Sequence, residues 1–173
     1  EIVATPAVAL KAAEAAARAA GYDVISLGAD VEGEARTVAA AQARQALQLK
    51  AERRRAVIVS GGELTVTIKG QGRGGPNQEF ALALALALGG ADGISGLAGD
   101  TDGTDGGGGA PTDPAGALID PTTLARAQAL GLDAAAFLER NDSTGFFEPL
   151  GDLLAPGPTL TNVNDLRAVV IEG

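Results

Sequence analysis

The stretch ISGLAGDTDGTDG, residues 94–106, decides the fold class, because an apolar run ends there in a loop of aspartates and glycines. The run 94–98 predicts a buried strand, and open α/β sheets place ligand chemistry where such strands end. The loop carries Asp100, Asp102 and Asp105 within six residues. Clustered hard oxygen ligands suit Mg²⁺ or Ca²⁺, and Mg²⁺ usually binds together with phosphates. Asp and Gly are also common turn formers, so an acidic turn without a ligand stays open as the alternative.

Helical and strand patterns alternate along the rest of the chain. Apolar or alternating runs predict strands at residues 22–27, 56–60, 64–68, 94–98, 117–119 and 166–171. Ala-rich or amphipathic runs predict helices at residues 6–20, 32–50, 76–88, 122–130, 133–140 and 143–150. This alternation predicts an α/β fold, a three-layer α/β/α arrangement with a mostly parallel mixed sheet. The run 64–68 alternates polar and apolar residues, which favours a half-buried, antiparallel strand. The glycines at 106–109 indicate a flexible insertion.

Composition excludes several function classes. The chain has 173 residues and a net charge of −9, which disfavours nucleic-acid and anionic-membrane partners. It contains no Cys and no His, so disulfides, zinc–thiolate sites, Cys nucleophiles and Ser-His-Asp catalysis are excluded. The apolar run 81–88 is too short to span a bilayer, and we expect a cytoplasmic protein. Because position 1 is not Met, we also expect the chain to be a fragment of a longer or processed product.

A second loop, GQGRGGPNQE at residues 70–79, leads into a predicted helix. Its glycines allow backbone amides to converge on an anion, and the helix N-terminus favours negative charge. Arg73 offers a bidentate fork for a phosphate or carboxylate. The loop is not a Walker A loop, since no Gly-Lys-Ser/Thr sequence follows. A flexible loop with a capped helix start is the alternative interpretation.

Two polar segments near the C-terminus remain ambiguous from their sequence. Thr161, Asn162 and Asn164 precede the last predicted strand, and such side chains bind ligands or their own backbone equally well. The segment 141–144, Asn-Asp-Ser-Thr, is interpreted first as a helix N-cap, with a catalytic role as the less favoured alternative.

Four motifs in this order resemble one known family. They are GGELTV at 61–66, GRGGPNQE at 72–79, DTDGTDG at 100–106 and GPTLTNVNDL at 157–166. Together they resemble the C-terminal, so-called MOFRL, domain of class II glycerate 2-kinases, whose members are often named hydroxypyruvate reductases of tartrate degradation. The Ala-rich first helix and EGEAR at 32–36 extend the resemblance over nearly the whole chain.

The resemblance implies one domain of a two-domain α/β enzyme, with residues 1–173 as the MOFRL-like domain and an N-terminal kinase domain outside this chain. It implies phosphorylation of D-glycerate at the 2-hydroxyl by ATP and Mg²⁺ in a cleft between the domains, with the isolated fragment inactive. A non-catalytic ligand-binding or domain-stabilising module stays open, as does a homodimer. A hydroxypyruvate reductase is less favoured, because no G-x-G-x-x-G loop lies between a strand and a helix.

The resemblance also assigns roles to residues. It implies catalytic roles for Arg73, Asp100 and Asp102, and metal binding by Asp100, Asp102 and Asp105. The residues implied to bind substrate or phosphate are Gly74, Gly75, Asn77, Gln78, Thr161, Asn162 and Asn164. Two features depart from the family pattern: many members have Arg where this chain has Pro76, and the connection 106–111 is longer than usual.

Overall fold

The computed structural model describes residues 4–107, 110 and 112–173, and within these residues it contains a six-stranded sheet and a separate two-stranded pair. The elements in chain order are α1 (Pro6–Ala19), β1 (Asp23–Ser26), β2 (Gly33–Glu34), α2 (Ala35–Ala51), β3 (Ala56–Ser60), β4 (Leu64–Thr65), α3 (Pro76–Leu88), β5 (Ile94–Asp100), β6 (Gly116–Ile119), α4 (Thr123–Ala129), α5 (Ala134–Glu139), α6 (Ser143–Phe147), a 3₁₀ turn (Glu148–Leu150), β7 (Leu153–Leu154) and β8 (Asp165–Ile171).

The sheet has the order β1-β3-β8-β5-β6-β7, which confirms the α/β class and the mixed sheet but corrects its pairing. Within the six-stranded sheet of the described residues, β1 and β3 form the one parallel pairing, and the other four pairings are antiparallel. The expected mostly parallel sheet is therefore wrong. The helix–strand alternation correctly predicts that β1, β3 and β5 run in one direction. However, β8 inserts between β3 and β5 in the opposite direction, and β6 returns beside β5 without a crossover helix.

The insertion of β8 brings distant loops to one edge of the sheet. Asp165, the first residue of β8, lies opposite Asp100 at the end of β5. Arg167 lies opposite Ser60 at the end of β3. The chain segments that follow β3 and β5 and precede β8 therefore meet at the same edge, which holds three of the four motifs.

Helices cover both faces of the sheet, as the three-layer prediction requires. Helices α2 and α3 pack against one face, where Phe80, Leu84 and Ile58 belong to the main hydrophobic core. Helix α1 packs on the other face, where Leu10 contacts a smaller cluster with Val57 and Val59. The alternation along β8 points every second residue into the main core, beginning with Asp165 and Arg167.

Several element boundaries differ from the predicted ones. Helix α2 begins at Ala35 because the Glu34 side chain accepts a hydrogen bond from the Thr37 amide at 3.1 Å and so caps the helix. The predicted antiparallel strand 64–68 is only the short β4, which pairs in parallel with β2. Strands β2 and β7 were not predicted, because two-residue strands leave no periodic pattern. The proposed flexible insertion lies partly outside the described residues, since 108, 109 and 111 are not among them.

No helix in the described part of the chain is both long enough and apolar enough to cross a membrane.

Candidate functional site

A polar pocket of about 190 Å³ lies at the shared sheet edge. It is lined from four directions: by Glu63 after β3, by Asn77 at the start of α3, by Asp100 at the end of β5, and by the segment that enters β8. Most of the lining side chains are polar, since the last segment contributes Asn162, Asn164 and Asp165. Such a donor set suits a hard cation.

The acidic loop holds two of its carboxylates in tight turns. Asp100 Oδ1 accepts a hydrogen bond from the Asp102 amide at 3.0 Å, and Asp102 Oδ1 accepts one from the Thr104 amide at 2.8 Å. Within the described residues, the second oxygen of each carboxylate has no protein donor. Burial raises the pKa of Asp100, and the negative charges of Asp102 and Asp165 raise it further, against the amide hydrogen bond that lowers it. A cation beside these oxygens would offset that repulsion.

Asp105 has a different role from the other two aspartates. Its side chain is buried, with the residue only 3 % exposed, and it caps the N-terminus of α3. Oδ1 accepts from the Asn77 amide at 3.0 Å, and Oδ2 accepts from the Gln78 amide at 2.8 Å. The side-chain amides of the same two residues donate to the same oxygens. Burial raises the pKa of Asp105 to about 6, although these four N–H bonds act in the opposite direction.

The predicted metal set of three aspartates is therefore not assembled. The Asp105 oxygens face α3, and among the described residues no group of three acidic, His or Cys side chains is placed to hold a metal ion. Metal binding by Asp100 and Asp102 stays a prediction. The reason is that Asp105 lies next to the N-terminal amides of α3, which have no partner within the helix. Both of its carboxylate oxygens accept hydrogen bonds from these amides and are therefore not free for a metal ion.

A buried polar network ties the loops together behind the pocket. Asn77 Nδ2 donates to Asp165 Oδ1 at 2.8 Å as well as to Asp105. Asp165 Oδ2 accepts from Arg167, whose guanidinium is fully buried and also donates to the carbonyl oxygens of Gly61 and Gly62. Burial lowers the pKa of Arg167, and the charge of Asp165 opposes that shift. The loops after β3 and β5 and the start of α3 thus share one set of hydrogen bonds.

Asp165 and Arg167 were not predicted as site residues, although the sequence contains a signal for them. Arg167 stands at the same alternating positions as Val169 and Ile171, which are core residues of β8. A charged residue on the inward face of a strand implies a buried partner, because an unpaired buried charge is costly.

The loop of residues 69–75, called the Gly/Arg loop below, is packed against the turn that precedes α6. A Cβ atom on Gly70, Gly72 or Gly74 would lie closer than 3.0 Å to the segment 140–143. A Cβ on Gly75 would collide with Asp105 in the same way. These glycines therefore serve close packing, rather than the open nest of amides that the sequence predicts for Gly74 and Gly75.

The start of α3 offers no free amides at its second and third positions either. The Asn77 and Gln78 amides donate to Asp105, and Pro76 has no N–H. The predicted anion site at these residues is thus already filled by a carboxylate of the protein itself. The Gln78 side chain is also engaged, because its Oε1 accepts from the Thr144 hydroxyl at 2.7 Å.

Arg73 lies outside the pocket that contains Asp100. Its guanidinium donates to Glu148 at 2.8 Å, and both side chains are more than half exposed. It lines a neighbouring cavity of about 250 Å³ together with Gln78 and Thr144. Asp105 lines both cavities. The structure thus places Arg73 beside the end of the acidic loop but not in one pocket with Asp100.

Hydrogen bonds of Thr101 connect the polar loop before β8 to the acidic loop. The Thr101 hydroxyl accepts from the Val163 amide at 2.9 Å and donates to the Asn164 carbonyl at 2.7 Å. Asn164 has a φ of 61°, which Asn tolerates better than most residues. These hydrogen bonds place Asn162 and Asn164 at the pocket, whereas Thr161 is exposed and does not line it.

Comparison with known proteins identifies the family. The model of the MOFRL family matches residues 56–165, which is more than half of the chain. The chain belongs to the MOFRL family. The family resemblance given by the four sequence motifs is thereby confirmed, and three of those motifs lie wholly within the matched range and the fourth overlaps its end.

Three relatives of this MOFRL chain extend the comparison. A protein of Agrobacterium vitis named "Putative hydroxypyruvate reductase" is 48% identical over 98% of the chain and 39% of its own length. A "Glycerate 2-kinase" of Pyrococcus horikoshii is 36% identical, again over 98% of the chain and 39% of its own length. The crystal structure of a glycerate kinase from Thermotoga maritima superposes with a TM-score of 0.91 at 35% identity, over 99% of the chain and 41% of that structure. The chain thus spans about two fifths of the length of these relatives.

Proposed function

We propose that this chain forms the C-terminal part of an ATP-dependent glycerate 2-kinase. Its relatives in Pyrococcus horikoshii and Thermotoga maritima are named glycerate kinases, and the second shares its fold along nearly the whole chain. The observation that carries the proposal is the polar pocket where the loops after β3 and β5 and before β8 meet. A kinase needs such a place, because phosphoryl transfer depends on positioning and charge neutralisation more than on covalent chemistry.

The acidic loop fits the divalent cation that this activity implies. Asp100 and Asp102 would hold Mg²⁺ through the carboxylate oxygens that lack a protein donor in the described residues. When bound, Mg²⁺ would neutralise charge on the phosphates of ATP. The tight turns around both aspartates keep their free oxygens oriented before any ligand arrives, which reduces the ordering needed on binding.

The neighbouring polar groups have separate tasks in this proposal. Asn162 and Asn164 offer amide groups to the hydroxyls or carboxylate of D-glycerate from the opposite wall of the pocket. Arg73 must approach an anionic group of the substrate from the adjacent cavity, which requires it to leave Glu148.

The relatives are more than twice as long as this chain, and we propose that a second domain completes the site. In this arrangement the pocket at the sheet edge faces an N-terminal kinase domain that supplies the remaining contacts to ATP and D-glycerate. The 173-residue chain alone is then expected to lack kinase activity. Robust phosphorylation of D-glycerate by the purified chain would contradict this division of the site.

The deciding experiment is a pair of assays on the complete protein. One measures ATP-dependent phosphorylation of D-glycerate in Mg²⁺, with the product analysed by phosphorus NMR to distinguish the 2-phosphate from the 3-phosphate. The other measures NADH oxidation with hydroxypyruvate, the activity that the name of the Agrobacterium vitis relative suggests. We expect activity only in the first. Activity only in the second would establish the reductase, and activity in neither would favour a non-catalytic module.

A further inference from the structure

The turn at residues 140–144 contacts the Gly/Arg loop, although its segment 141–144 was interpreted as a helix N-cap from the sequence. Asp142 precedes α6, but its side chain makes no capping bond to that helix. Its Oδ1 accepts from the Arg73 amide at 3.1 Å. The backbone of the turn adds two further bonds, from Gly72 N to the Arg140 carbonyl at 3.1 Å and from Thr144 N to the Arg73 carbonyl at 2.9 Å.

Asn141 makes the largest contribution to this contact. It is 8% exposed, and its φ of 55° turns the chain so that the side chain points back toward the loop. Oδ1 accepts from the amides of Lys69 and Gly70 at 2.7 and 3.0 Å. Nδ2 donates to the Thr67 carbonyl at 3.2 Å. One side chain therefore holds the beginning of the loop through three backbone groups.

The fourth bond of Asn141 anchors it to the helical layer. Its Nδ2 donates to Glu79 Oε2 at 2.9 Å, and Glu79 is a buried residue of α3. The other oxygen of Glu79 accepts from Arg36 Nε at 2.8 Å. Arg36 belongs to α2 and also donates to the Leu138 carbonyl in α5 at 2.7 Å. Asn141 is therefore held in place by groups of three helices, and its position does not depend on the Gly/Arg loop.

Among the residues that the structure describes, nothing comparable holds Arg73 through its own side chain. Its pair with Glu148 is exposed on both sides, and exposed ion pairs contribute little to ordering. The position of the Arg73 side chain is thus set by its backbone, which Asp142 and the turn hold in place.

We propose that Asn141 is a positioning residue for the phosphoryl transfer proposed above: it fixes the Gly/Arg loop in the conformation that presents Arg73 to the anionic substrate. This role rests on the proposed function. Asn141 itself lies behind the loop and contacts no reacting group. When the loop populates its binding-competent conformation less often, the apparent affinity for the substrate falls by that fraction.

The test compares Asn141→Gly with wild type in the complete protein. Glycine removes all four side-chain bonds but tolerates the positive φ, so backbone strain does not confuse the result. We expect hydrogen exchange of a peptide covering 69–75 to accelerate about tenfold or more, because two amides lose their acceptor. Peptides from β3 and β5 should exchange as in wild type, which shows that the fold is intact. The KM for D-glycerate should rise about tenfold while kcat changes less than about twofold.

Two further variants separate positioning from general destabilisation. Asp133→Ala removes the cap of α5, where Asp133 accepts from the Ala135 and Ala136 amides, and it does not touch the loop. We expect it to leave both loop exchange and KM unchanged. Asp142→Ala releases the Arg73 amide at the other end of the loop and should shift both readouts in the same direction as Asn141→Gly, by a smaller factor.

The proposal and the proposed function fail in different ways. Absence of D-glycerate phosphorylation by the wild-type protein refutes the function, and exchange still decides whether Asn141 holds the loop. If the loop peptide of Asn141→Gly exchanges its amide hydrogens at the wild-type rate, Asn141 does not hold the loop in solution. Faster exchange with an unchanged KM overturns the positioning role.

Discussion

The buried cap formed by Asp105 makes a quantitative prediction about stability. In Asp105→Asn, one amide oxygen can still accept from one pair of donors, such as the amide and side chain of Asn77. The new NH₂ group then faces the Gln78 amide, which loses its acceptor, and the Gln78 side chain, which keeps only the Asp105 backbone carbonyl. Each buried unsatisfied donor costs about 1–3 kcal/mol, so we expect a loss of about 2–5 kcal/mol at pH 7. This is a large share of a total stability of about 5–15 kcal/mol.

The stability difference should also depend on pH. Burial raises the pKa of Asp105 to about 6, so the folded state binds this proton more tightly than the unfolded state does. The resulting stabilisation is present in full below the ordinary pKa of 3.8 and is lost as the pH rises through about 6. On lowering the pH from 7 to 5, wild type should therefore gain about 1 kcal/mol relative to Asp105→Asn.

Urea denaturation of the complete protein measures both effects. Asp113→Asn is the matched control, because Asp113 lies in the same connection and accepts an exposed bond from the Ala110 amide. It should stay within about 0.5 kcal/mol of wild type. If Asp105→Asn unfolds at the same urea concentration as wild type, Asp105 does not cap α3 in solution. A pH response shared by variant and wild type would show that the amide bonds cancel the effect of burial and leave the pKa of Asp105 unshifted.

Further variants at Asp102, Arg73 and Gly116 test the site and the packing, with Gly131→Ala as a control. Asp102→Asn should lower kcat of the complete enzyme by at least about 10²-fold at nearly unchanged stability, and a wild-type kcat would leave the loop as an acidic turn. Arg73→Lys should reduce kcat/KM for D-glycerate and Arg73→Ala should reduce it more, because Lys keeps the charge but loses the fork; unchanged kinetics in Arg73→Ala would remove Arg73 from the site. Gly116→Ala places a methyl group closer than 3.0 Å to the Ala98 carbonyl and should cost more than about 2 kcal/mol in thermal or urea unfolding. Gly131→Ala, with open space around it, should cost only the strain of its φ of 73°, about 1 kcal/mol; equal losses in both would contradict the packing argument.

Much of the local structure was predictable from the sequence. The bounds of α3 and β3 agree with the predicted ones, and β5 extends the predicted strand by two residues. The α/β class and the three layers follow from the same patterns. Apolar periodicity indicates which residues are buried, and glycines at segment ends indicate where the chain turns. Both signals depend only on residues that are close together in the sequence. The four ordered motifs were sufficient to identify the family, because their spacing along the chain needs no tertiary information.

The order of the strands could not be predicted in this way. The pattern of β8 shows that it is half-buried but not which strands flank it. Its insertion between β3 and β5 turns an expected parallel arrangement into a largely antiparallel one. It also places Asp165 opposite Asp100, although the two residues are 65 positions apart in the sequence.

The roles of individual side chains depended on the same long-range contacts. Asp100, Asp102 and Asp105 are equivalent in sequence, yet only Asp105 meets the amides of α3, 27 and 28 positions away. The glycines of the Gly/Arg loop suggest a flexible anion site, but they contact a turn about 70 positions further along. By itself the sequence therefore determined the elements, their polarity and the family. Only the tertiary structure decided which polar groups find partners, because a hydrogen bond depends on distance in space and not along the chain.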